Sequence, residues 1–188
     1  LVGGLPEASF EWLHRIALWQ AALGVLTVAC CFLLASEFLA TPMALFATLL
    51  CAVNPWLATS NAYLLTESLF TLLLFAATWL SIRALRPESN RRLALAAGLA
   101  WALCSLVRPT TQFFLPMLCV GALAIPLWRR WRREALLGLL VFALAMAPWV
   151  LRNARLPASA GQPDLMVLSI VHGSYPDFRY EGREDTFG

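Results

Sequence analysis

The chain of 188 residues is 60% apolar and 13% charged, with a mean hydropathy of +0.70 and a formal net charge of +3. A soluble domain has no means of hiding that much apolar surface, so the composition excludes one and points to a lipid solvent. Every basic side chain apart from His is Arg, and the arginines sit at the ends of apolar blocks instead of on one surface, which argues against a nucleic-acid partner.

Residues 1–15 read as an external amphipathic lead-in to a first apolar block at 16–36, bounded by Arg15 and Glu37 and long enough to cross a hydrocarbon core of about 30 Å. A shorter block at 42–57 ends at Asn54-Pro55-Trp56, where proline breaks a helix near an interface. After the polar turn Thr59-Ser60-Asn61 a third block runs from 63 to 82. Residues 93–128 are apolar except around Arg108-Pro109. One helix of that length would reach about 54 Å and overshoot the bilayer, so a hairpin turning at Arg108-Pro109 is expected. A last block covers 135–151, giving an all-α polytopic bundle of about six transmembrane spans over 16–151. From 152 to 188 the composition turns polar and aromatic, as at the start of an extracytoplasmic segment; a chain truncated at both ends is expected.

Arg83, Arg86, Arg91 and Arg92 occupy one loop and Arg129, Arg130, Arg132 and Arg133 another, two spans apart. The two loops share a side, which the positive-inside rule makes cytoplasmic in an inner (plasma) membrane, with both termini outside. Seven of the eight tryptophans fall near span ends, where amphipathic rings settle; Trp101 does not.

Glu67 is the carboxylate embedded in a span. With a helix starting near Asn61 it lies about 9 Å below the outer end, and Tyr63, Glu67, Thr71 and Thr78 form a polar stripe facing the bundle interior or a wet cleft. Intramembrane acids are functional candidates; the plainer alternative is a hydrated acid favoured by a helix N-terminus. Arg108, at the outward tip and on the same side, is either a phosphate clamp or an arginine snorkelling to headgroups. Arg152 and Arg155 read as span-end anchors, and the two cytoplasmic clusters as topology signals and anionic-lipid contacts. Gln20, Gly24, Thr27 and Cys31 line one face of the first span as a packing seam. The five cysteines all lie in apolar stretches without metal-ligand spacing, and read as packing residues. His172, Tyr175, Asp177 and Tyr180 in the tail are open to either acceptor contact or ordinary folding.

The run Asn54-Pro55-Trp56 through Tyr63-Leu64-Leu65-Thr66-Glu67-Ser68-Leu69-Phe70, then Ala97-Gly98-Leu99 to Val107-Arg108-Pro109-Thr110, and Ala147-Pro148-Trp149-Val150-Leu151-Arg152-Asn153, resembles the GT-C glycosyltransferases. The likeness is greatest to the bacterial branch related to protein mannosyltransferases and aminoarabinose transferases, over roughly residues 10–155. It implies an enzyme that takes a sugar from a polyprenyl-phosphate carrier and passes it to a glycan, lipid or protein acceptor on the extracytoplasmic face. Metal dependence varies in that class, with Mg or Mn the divalent ions expected. The class's principal catalytic Asp would precede the first span here, and Glu7 and Glu11 do not match its motif. Glu67 matches the second acidic position, implied as catalytic or metal-holding. Arg108 matches a recurrent Arg-Pro at an outward turn and is expected, with Tyr63 and Asn61, on the substrate side. The rival readings are a transporter or flippase of lipid-linked sugars, which would show broken helices or internal repeats, and a non-catalytic membrane scaffold.

Overall fold

The computed structural model describes residues 8–55, 57, 66–87 and 90–155, with side chains from His14 onward. These form six α-helices and no strand: α1 (Ala8–Ala35), α2 (Thr41–Ala52), α3 (Glu67–Ala84), α4 (Arg91–Val107), α5 (Phe114–Ala124) and α6 (Arg132–Ala154). Short 3-10 turns at Pro109–Thr111 and Pro126–Trp131 flank α5. The chain divides into two compact units, 1–147 and 148–188. In the second, the described residues are the end of α6 and a turn closed by the Arg155 N–H on the Arg152 carbonyl. The external segment expected beyond Arg155 lies outside the described residues.

A helix stands at each of the six expected places, but their lengths differ from the apolar blocks. Three are long and apolar enough to cross a bilayer: 14–35 within α1, Glu67–Ala84, and Pro126–Ala154. The others are shorter because capping and proline punctuate them. α2 opens with Pro42 in its first turn and stops at Ala52, short of the expected 57, where the Asn54 side chain accepts the Leu57 N–H at 3.3 Å. The block expected at 109–128 is cut by Pro109 and Pro126 into two 3-10 turns around an 11-residue helix of about 16 Å. α4 is capped by Asn90, whose side-chain oxygen accepts the Arg92 N–H at 3.0 Å. Conversely α1 starts at Ala8, well ahead of the expected 16.

The packing is inverted relative to a water-soluble bundle. Most buried positions are small, among them Ala44, Ala77, Ala94, Ala97, Ala102, Cys104 and Cys119, whereas many large side chains, such as Leu18, Val25, Phe46, Met117 and Leu144, face outward. Small residues let helix backbones approach, and lipid tails solvate the large ones without penalty. α4 and α6 approach closely at a pair of glycines. A Cβ built on Gly98 would stand 2.2 Å from the Gly138 carbonyl oxygen, so only glycine fits there. Thr27 on the expected seam of α1 is buried, with Gln20, Gly24 and Cys31 half-buried on the same face.

The seven-residue core cluster is centred on Trp101, the tryptophan that avoids the span ends. Its ring lies 4.3 Å from that of Phe114, and its Nε1 donates to Ser81 Oγ at 2.9 Å. An indole tolerates burial when its N–H finds an acceptor, and Ser81 on α3 supplies one.

Candidate functional site

The helices of the first unit alternate in direction, so contacts between residues distant in sequence gather at two ends. α3 carries Glu67 at one end and Ala84 at the other, about 27 Å apart by helical rise. α4 returns antiparallel to it and ends at Arg108. Pro109 disfavours helical geometry for the residue before it, and Arg108 is extended, with φ −141° and ψ 120°. Its own N–H still closes the helix on the Cys104 carbonyl at 2.9 Å. The break turns the guanidinium toward α3, where its Nη2 donates to Glu67 Oε1 in an ion pair. One turn further along α3, the Phe70 ring lies 5.6 Å below the Arg108 Cζ, a second hold on the same cation.

Glu67 occupies the first turn of α3 as described, where the helix dipole favours negative charge. Its side chain is 28% exposed and that of Arg108 42%. One carboxylate oxygen accepts from Arg108; the other, Oε2, is buried and has no hydrogen-bond partner among the described residues. A guanidinium has five N–H donors, and the pair with Glu67 leaves Arg108 donors for a further anion. The turn behind it is fixed by Ser105 Oγ and Thr111 Oγ1 at 3.2 Å.

Glu67 and Arg108, expected on the same side, are therefore in contact, and Thr71 and Thr78 of the expected polar stripe are half-buried. Thr71 and Thr78 donate their hydroxyls to the carbonyls four residues back, at 2.7 and 2.8 Å, and so spend their donors within the helix. Tyr63 and Asn61 lie outside the described residues. No group of three or more His, Cys, Asp or Glu occurs among the described residues, and Glu67 is engaged by a cation. The described residues alone do not assemble a ligand set for a divalent metal.

The opposite end holds a cluster that the sequence reading passed over as a span boundary. Glu37, between α1 and α2, accepts from Trp79 Nε1 at 3.0 Å and pairs with Arg83 at 3.5 Å and, through its other oxygen, with Arg86. Arg86 also donates to the Glu37 backbone carbonyl at 3.3 Å. The only sequence signal was a lone acid facing a loop of arginines. At the same end Trp131 Nε1 donates to the Leu85 carbonyl at 2.9 Å, and Arg132 caps the carbonyls of Ala122 and Leu123 at 3.1 and 2.7 Å.

No curated protein and no solved structure matches the chain. The sequence profile of the dolichyl-phosphate-mannose-protein mannosyltransferases matches residues 11–151, three quarters of its length and the stretch that holds both Glu67 and Arg108. The chain thus belongs to the dolichyl-phosphate-mannose-protein mannosyltransferase family, and is a membrane glycosyltransferase of the GT-C class.

Proposed function

We propose that the chain transfers a sugar from a polyprenyl-phosphate carrier to an acceptor at the extracytoplasmic face of the plasma membrane, and that Arg108 and Glu67 belong to its donor site. The observation that carries the reading is the Arg108–Glu67 pair at the helix ends opposite the arginine-rich turns. By the positive-inside rule those turns face the cytoplasm, which sets the pair at the outer rim.

A glycosyl carrier leaves as a phosphate, and charge grows on its oxygens as the bond to the sugar breaks. A guanidinium already held in place stabilises that charge without reorganising at the moment of reaction. Glu67 and Phe70 do the holding. Glu67 is accordingly a positioning residue in this reading, and the base that deprotonates the acceptor lies elsewhere in the enzyme. The family match favours group transfer over transport or scaffolding.

Single cysteines placed at 83–92 and 129–133 in a cysteine-free form of the full enzyme test the orientation, with sugar transfer followed in the same vesicles. The expected result is that a membrane-impermeant maleimide misses both turns from outside while an externally supplied acceptor is glycosylated. External labelling of either turn overturns the proposal.

A further inference from the structure

A cavity of about 190 Å³ lies at the arginine-rich end, between the ends of α3, α4, α5 and α6, far along the helices from Glu67 and Arg108. It exceeds the roughly 150 Å³ cavity that holds a benzene. Ala84, Ala97, Leu118 and Gly138 form apolar walls, and Trp128 and Trp131 from the Pro126–Trp131 turn complete them. The walls are built, not incidental. Trp131 is fixed by its bond to the Leu85 carbonyl, and Trp128 lies so close to α5 that a Cβ on Gly121 would meet its ring at 2.7 Å.

The turn that supplies the two indoles also supplies cations. Arg129, Arg130 and, at the start of α6, Arg133 are exposed, and none has a carboxylate in an ion pair among the described residues. Arg130 stacks on the Trp131 ring with its Cζ 4.4 Å from the centroid, which sets a guanidinium directly over a cavity wall. By contrast Arg83 and Arg86, at the neighbouring helix end, share Glu37 as a counter-ion. Polar groups on the lining are few, Ser81 and Glu134, so hydrocarbon suits the interior and a charged group does not.

We propose that this cavity is a binding site for an anionic phospholipid of the leaflet at the arginine-rich end, taking one acyl chain between Trp128 and Trp131 while Arg129, Arg130 and Arg133 hold the headgroup phosphate. The complementarity is twofold. An apolar slot of this size fits part of a single chain, and unneutralised guanidinium groups at the same turn fit a phosphate with a net negative charge. The site stands apart from the sugar-transfer reading and survives its failure.

The full-length enzyme in nanodiscs, exposed to phosphatidylglycerol bearing a photoactivatable diazirine in one acyl chain, tests it. The expected result is crosslinking within 84–97 and 115–138, with the matched phosphatidylcholine probe labelling those segments at least fivefold less. Arg129→Gln, Arg130→Gln and Arg133→Gln together, at exposed positions where folding is not at stake, should bring the phosphatidylglycerol signal down to the phosphatidylcholine level. Leu118→Trp, which fills the slot, should abolish labelling by both probes. Equal labelling by the two headgroups, or labelling that withstands both sets of substitutions, overturns the proposal. So does complete displacement of the probe by equimolar polyprenyl monophosphate, which would assign the cavity to the carrier.

Discussion

Each end of the helical bundle holds a carboxylate against arginine, and the two are satisfied to different degrees. Glu37 is 7% exposed, and both its oxygens are engaged, by Arg83, Arg86 and the Trp79 indole. Glu67 is 28% exposed and uses one oxygen on Arg108, while the other is buried and unpartnered among the described residues. A saturated carboxylate has no acceptor oxygen left over and acts as a rivet between the α1–α2 turn and α3. A half-satisfied one keeps donors and an acceptor in hand, which is the condition of a site that still has something to bind. The comparison also explains why arginine density is a poor guide to chemistry here: the cation-rich end is the one where an acid has already been answered.

The sharpest way to break that comparison is to remove the guanidinium at the proposed site. Arg108→Ala in the full enzyme should lower sugar transfer about 10²-fold, the usual cost of losing one preorganised donor to a developing anion. Binding of the carrier-linked donor should weaken with it, while the thermal midpoint in detergent stays put. Transfer at the normal rate would take Arg108 out of the site. Glu67→Gln should cost less, about tenfold in kcat, because the amide keeps one contact to Arg108 but loses the charge that aims it. Adding back the shorter acid as Glu67→Asp should restore part of the rate, which a purely structural role for Glu67 does not predict.

Glu37→Gln should invert the pattern. Two half-exposed arginines lose their shared counter-charge and one of its two acceptor oxygens, a cost of about 2 kcal/mol around a buried carboxylate, so the denaturation midpoint falls. Enzyme that remains folded should turn over normally. A loss of activity matching that of Glu67→Gln, with stability intact, would erase the distinction between the two ends.

How far the sequence foretold this arrangement depends on range. The six helices were legible because apolar blocks and prolines are local signals, and the meeting of Arg108 with Glu67 was legible because one hairpin between neighbouring spans suffices to make it. Helix lengths were less so. Hydropathy counts residues, whereas Pro109 and Pro126 divide an apolar block into turns that it cannot see. The role of Glu37 was hidden because its partners stand 42 and 49 residues away, across helices whose relative rotation no periodicity reports. The threonines of the expected stripe show a purely local preference. Their stripe is real in register, but a hydroxyl in an apolar helix takes the nearest carbonyl first.

The mildest test lies between the two ends. Trp101→Phe keeps an aromatic ring beside Phe114 but deletes the N–H donated to Ser81 and part of the indole's volume. Ser81 is not stranded, because its hydroxyl also donates to the Ala77 carbonyl at 2.7 Å. The hydrogen bond itself should be worth about 1 kcal/mol, with a cavity term from the missing part of the ring added to it. Because Trp101 ties α4 to α3, its effect on transfer separates two pictures of the molecule. If the two ends are independent, stability drops slightly and kcat is unchanged. A fall in kcat larger than the stability loss would mean that the registry of α3 against α4 is itself what holds Arg108 over the donor, with Glu67 following.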